Sequence, residues 1–234
     1  MSEYVTLKAA DGQELSGYVA RPEGQPIGCL VVVQEIFGVN EHIRSVADGY
    51  AKDGFLAVAP ALFDRFEKGV ELKYEGEDMQ RAFGFYQKLK PETALMDVAA
   101  AYEFLKAEGK GIGVIGYCYG GLMAWLSATR GEDLKMQPAC TVGYYAGGIG
   151  NVATEEPSCP VMLHFGGNDS HIGPDQVEAV RKAHGTHDGG DEVQIFVYDG
   201  ADHGFNCDMR ASYNPEAAKL ARERSLAFLK ANIA

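Results

Sequence analysis

The chain has 234 residues, 46% of them hydrophobic and 23% charged, which is ordinary for a globular protein and too apolar for disorder. Its 33 acidic side chains outnumber 21 basic ones, for a formal charge of −12. That balance excludes a nucleic-acid surface, and an anionic small molecule would need its own local arginines. At this length a single α/β domain over residues 1–234 is expected, large enough to need no disulfide staples.

Residues 1–8 lack the basic flank and apolar core of a signal peptide. The longest apolar run, residues 29–33, is far short of a membrane span. Five cysteines, an odd number without framework spacing, suit a reducing compartment. The expectation is a cytoplasmic protein without membrane or nucleic-acid partners, a monomer or small homo-oligomer.

In chain order, residues 4–8 and 14–20 alternate apolar and polar around Asp11-Gly12, which reads as an antiparallel hairpin. Short apolar runs follow at 28–33, 55–59, 111–115, 140–144, 161–165 and 193–198, the pattern of strands covered on both faces. Helical periodicity separates them over 41–53, 76–89, 91–108, 121–129, 175–183 and 215–231. Alternating strand and helix predicts a mostly parallel sheet with helices on both sides and the hairpin as an antiparallel edge. Ligands of such sheets bind beyond the carboxyl ends of the strands.

The most informative segment is Gly116-Tyr117-Cys118-Tyr119-Gly120, a G-x-C-x-G between a buried strand and an amphipathic helix. Glycines at these positions permit the tight turn that exposes a central nucleophile. A thiol at a helix N-terminus is favoured as thiolate. Gly111, Gly113 and Gly116 also spell G-x-G-x-x-G, but they lie within the strand, whereas a dinucleotide fingerprint needs them after it.

A thiol needs a base and an orienting acid. The strand 161–165 leads to Asp169, and the strand 193–198 leads to His203, giving the order Cys118, Asp169, His203 that α/β-hydrolases use. Asp175 competes for the acid position and His171 for the histidine. His164 reads as a strand histidine, while His184 and His187 flank a Gly/Asp-rich stretch without metal-ligand spacing. Cys29, Cys140 and Cys159 read as small apolar residues; Cys207, four residues after His203, is less innocent. The strand ending at Val33 leads into Gln34-Glu35-Ile36-Phe37-Gly38-Val39-Asn40. In an α/β-hydrolase this loop supplies one oxyanion N–H and the residue after the nucleophile the other, here Ile36 and Tyr119.

That loop, with Gly116-Tyr117-Cys118-Tyr119-Gly120-Gly121, Val142-Gly143-Tyr144-Tyr145, His164-Phe165-Gly166-Gly167-Asn168-Asp169 and Gly200-Ala201-Asp202-His203-Gly204-Phe205, resembles the dienelactone hydrolase (carboxymethylenebutenolidase) family over nearly the whole chain. The resemblance implies an α/β-hydrolase fold and a cysteine-dependent opening of a lactone or ester, of the dienelactone-to-maleylacetate type, through an acyl-thioester. No metal or organic cofactor is implied. It makes Cys118 the nucleophile, His203 the acid/base and Asp169 its orienting acid. Glu35 resembles the glutamate that holds the resting thiol and takes its proton, and Tyr144 a tyrosine lining the site. Phe37, Phe83, Tyr86 and Arg81 are the expected substrate contacts.

Departures stand at Cys207, where the family enzyme has a carboxylate-gripping arginine, and at Gly204, where it has serine. The other family arginine aligns with Met79, leaving Arg81 or Arg210 to substitute. A broader esterase for uncharged esters and a catalytically idle ligand-binding protein are the alternatives.

Overall fold

The structure, a computed structural model, describes residues 2–184 and 192–233. The strands are β1 (Ser2–Lys8), β2 (Glu14–Ala20), β3 (Gly28–Val33), β4 (Phe55–Pro60), β5 (Ile112–Tyr117), β6 (Cys140–Tyr144), β7 (Val161–Gly166) and β8 (Val193–Tyr198). They form one sheet in the order β1-β2-β4-β3-β5-β6-β7-β8. Only β2 opposes its neighbours; every pair from β4 to β8 is parallel. The expected hairpin is present, yet its first strand, at the sheet edge, runs with the main sheet.

Burial follows the sequence pattern. Every residue of β3 to β7 is buried, as continuous apolar strands require, whereas the edge strand β1 is mostly exposed. The helices are α1 (Glu41–Lys52), α2 (Gly76–Tyr86), α3 (Pro91–Leu105), α4 (Tyr119–Arg130), α5 (Pro174–His184) and α6 (Pro215–Ile233). Side chains alternate across a strand, so Gly113 and Gly116 of β5 face opposite layers. A Cβ at Gly113 would meet Ile233 of α6 at 2.7 Å, and one at Gly116 would meet the start of α4. The G-x-G-x-x-G glycines therefore serve helix packing. No helix among the described residues is long and apolar enough to cross a membrane.

The functional end of the sheet is organised by the join between β5 and α4. Helix α4 begins at Tyr119, two residues before the periodicity places it, directly after Cys118. This is possible because the backbones nearly touch. A Cβ on Gly116 would lie 1.9 Å from the Gly120 carbonyl oxygen, and one on Gly120 would lie 2.3 Å from that of Val33. Gly116→Ala should therefore force the turn apart. We expect it to destabilise the fold by about 1–3 kcal/mol, measured by urea denaturation; unchanged stability would contradict the packing described.

Candidate active site

Cys118 joins β5 to α4 with φ 54° and ψ −116°, a left-handed conformation rare for a residue with a Cβ. Its N–H donates to the Tyr144 carbonyl at 2.9 Å, and its own carbonyl accepts from Gly121 N at 2.9 Å and Leu122 N at 3.3 Å. The turn aims the partly exposed thiol away from the sheet, towards the loop after β8. There Nε2 of His203 lies 3.2 Å from Cys118 Sγ, and Nδ1 of the same ring lies 2.9 Å from Asp169 Oδ2. The other carboxylate oxygen of Asp169 accepts from the backbone N–H groups of His171 and Ile172 at 2.8 and 3.0 Å. Three strand ends thus bring Cys118, His203 and Asp169 into one hydrogen-bonded chain.

Its electrostatics follow from burial and pairing. Burial opposes charge on His203, but the Asp169 hydrogen bond and the Cys118 sulfur outweigh it and raise the imidazole to about 10. Burial likewise pushes against ionised Asp169, and the His203 contact with the two backbone donors overrides it, holding the carboxyl below its usual value.

The loop between β3 and α1 is fixed by side chains from its own sequence. Buried Gln34 accepts from Leu62 N at 3.0 Å, and Asn40 caps α1 by accepting from Ile43 N at 3.2 Å. Among the described residues, no acceptor takes the backbone N–H of Ile36 or of Tyr119. Tyr119 opens α4, where unpaired N–H groups are normal, and Ile36 follows β3, the strand paired with β5.

Glu35 departs from expectation. It is fully buried, and neither oxygen engages the thiol: Oε2 accepts from Tyr74 Oη at 2.9 Å and Oε1 pairs with Arg210 Nη1 at 3.3 Å. The partner of the thiol is His203. Arg210 is held over the rings of Phe37 and Tyr74, 5.8 and 5.5 Å from their centroids. Gly204 makes room for it: a Cβ there would stand 2.5 Å from Arg210 Nη1, on a backbone with φ +78°. Arg210, three residues after Cys207, is thereby seated against Glu35.

The remaining expectations divide. Tyr144 does not line the site: it is buried, and its hydroxyl shares a hydrogen with Ser225 Oγ at 2.7 Å. The next residue, Tyr145, takes the place beside His203, with ring centroids 5.1 Å apart and a buried hydroxyl without a partner. Tyr145 lies just past the end of β6 with a positive φ of 36°, so the turn after the strand, not the strand's alternation, directs its ring. Phe37 is buried behind Tyr74 rather than presented to substrate, their centroids 4.5 Å apart. Tyr86 is half-exposed against Tyr119 at 5.8 Å, and Phe83 is exposed on the same helix. Arg81 is turned to Glu67 at 2.9 Å on the surface. Tyr74 escaped the sequence reading because it lies 39 residues from Glu35 with no local motif.

The rivals fall away by position. Asp175 sits at the start of α5, and His171 meets His203 only ring edge to face. His164 is wholly buried between Tyr198 and Ser225, and burial drives its pKa down to about 3. His184 donates to the Ala153 carbonyl, and His187 lies outside the described residues.

The profile described as "Dienelactone hydrolase family" matches residues 15–233. This chain belongs to the dienelactone hydrolase family. A Synechocystis protein provisionally named carboxymethylenebutenolidase is 36% identical, over 88% of this chain and 87% of its own length. The carboxymethylenebutenolidase of Pseudomonas putida is 29% identical, over 98% and 96%. A crystal structure from Klebsiella pneumoniae, provisionally named a dienelactone hydrolase, superposes with a TM-score of 0.83 at 30% identity, covering 97% of both chains.

Because the His203 pKa is raised, protonated His203 adds stability that is fully present below its ordinary 6.5 and is lost as pH rises through about 10. Asp169→Asn removes the largest of the contacts that raise it. The variant should show His203 titrating well below about 10 by long-range proton–nitrogen NMR, with a flatter loss of stability across that window. An unshifted titration would mean that Asp169 does not set the ring's charge.

Proposed function

We propose that the protein hydrolyses small carboxylic esters or lactones through a covalent thioester on Cys118. The observation that carries this reading is the Cys118–His203–Asp169 hydrogen-bonded chain at a strained strand-to-helix turn. The relatives' names supply the reaction class. In the proposed reaction, the thiol proton already rests on His203 Nε2, as that ring's raised pKa favours, and Sγ attacks the substrate carbonyl carbon. The carbonyl oxygen becomes an oxyanion that the Ile36 and Tyr119 N–H groups receive; removing one such donor typically costs ~10²–10³ in rate.

Collapse breaks the carbon–oxygen bond, and His203 returns the proton to the departing alkoxide. In a lactone that alkoxide stays tethered, so ring opening and acylation are one event. Water, deprotonated by His203, then attacks the thioester carbonyl, releasing the acid and restoring the thiol. Asp169 keeps Nδ1 of His203 occupied, so that Nε2 always faces sulfur.

Glu35 is not the base in this scheme, since Tyr74 and Arg210 occupy it. Its part is to hold Arg210, and Arg210 rather than Arg81 is the cation available to an acidic substrate. A carboxylate reaching Arg210 would have to compete with Glu35, which favours neutral esters over anionic lactones unless Glu35 gives way.

Turnover of a neutral aryl ester and of dienelactone, run side by side on wild type, Cys118→Ala and Arg210→Ala, tests the reading. We expect Cys118→Ala to lose both activities by several orders of magnitude, with the acyl adduct found on Cys118 of wild type by mass spectrometry. Arg210→Ala should raise KM for dienelactone and leave the neutral ester largely unaffected. Wild-type turnover in Cys118→Ala would sink the mechanism.

A further inference from the structure

Behind the Glu35–Arg210 pair, three side chains from distant parts of the chain converge. Glu35 follows β3, His42 is the second residue of α1, and Cys207 lies in the loop between β8 and α6. One potential ligand atom of each, a carboxylate oxygen, an imidazole nitrogen and a thiol sulfur, lies within 4.8 Å of the others, and all three residues are buried. His42 is 2% exposed, yet neither ring nitrogen makes a hydrogen bond. Among the described residues its one ion-pair contact is with Asp208, with Oδ1 3.5 Å from Nδ1, a contact too long for a hydrogen bond. The ring is held edge-on between Tyr74 and Tyr117, each 6.4 Å away between centroids. A buried imidazole left without partners is uncommon, because neither nitrogen is solvated or bonded.

We propose that Glu35, His42 and Cys207 form a binding site for a borderline-soft divalent cation of the Zn²⁺ class. Sulfur, imidazole and carboxylate together select this class over Ca²⁺ or Mg²⁺, which take oxygen ligands. A tetrahedral zinc with bonds of about 2.0–2.3 Å places its ligands roughly 3.3–3.6 Å apart. The three groups must therefore draw in by no more than about 1.5 Å, within reach of rotamer adjustment. One carboxylate and one thiolate balance the charge of the ion, and the Cys207 proton leaves to solvent as the metal–sulfur bond forms. Glu35 exchanges its Arg210 contact for the metal, which frees the guanidinium.

On the α1–α6 side the histidine, but not Glu35 or Cys207, borders a hollow. This hollow of about 290 Å³ is lined by His42, Tyr117, Asn206 and Asp208. Exposed Asp208 stands at its mouth, next to the histidine. Cys118 is not one of the three ligands, so the test does not depend on the hydrolytic reading.

Co²⁺ is the probe, because a cobalt–thiolate bond gives a near-ultraviolet charge-transfer band. Wild type and Cys118→Ser should both bind one Co²⁺ per chain with that band, and Zn²⁺ should displace it. Cys207→Ser should lack the band, and His42→Gln should bind Co²⁺ more weakly by roughly tenfold or more. Circular dichroism of each variant checks that the fold is kept. No band in wild type, or a band lost with Cys118 and kept without Cys207, would overturn the proposal. Unaltered affinity in His42→Gln would overturn it equally, and that variant answers the question even if Cys207→Ser fails to fold.

Discussion

The functional end of this protein depends on one backbone constraint, the left-handed turn that Cys118 makes between β5 and α4. A residue with a Cβ in that conformation carries strain on the order of 1–3 kcal/mol, and the surroundings hold it there. The Cys118 N–H is tied to the Tyr144 carbonyl, its carbonyl takes two N–H groups of α4, and glycines at 116 and 120 let three backbone segments meet at near-contact distance. The turn sets where the thiol points and leaves the Tyr119 N–H without an acceptor. It also starts α4 at once, so the helix N-terminus lies beside the sulfur.

Around that turn, buried charge is arranged in pairs. The chain is strongly acidic overall, yet the site's acids are each matched: Asp169 with His203 and two backbone donors, Glu35 with Arg210 and Tyr74. Unpaired, either carboxylate would be costly where it sits. Pairing also decides reach. Arg210 is 16% exposed on its side chain and anchored over two rings, so it presents a fixed guanidinium. Arg81, bound to Glu67 at the surface, does not. The absence of a side chain at Gly204 is what admits Arg210.

Much of this was legible in the linear chain because it rests on local rules. Continuous apolar runs become fully buried parallel strands, alternation around Asp11-Gly12 becomes a hairpin, and residues after strand ends meet at one edge because parallel strands share a direction. Cys118, Asp169 and His203 were found by that reasoning, since each follows its own strand. Boundaries such as the start of α4 were not, because steric closeness between segments sets them rather than helical periodicity.

The sequence by itself therefore determined the fold class, the family and the three residues of the hydrogen-bonded chain, all carried by periodicity and short motifs. Tertiary structure alone decided which tyrosine of the Tyr144-Tyr145 pair faces His203, that Glu35 bonds Tyr74 and Arg210 instead of the thiol, and that His42 meets Cys207. Those are contacts between side chains tens to hundreds of positions apart. The direction of each is set by the turns that follow the strands and by the space neighbours leave, which a local pattern does not encode.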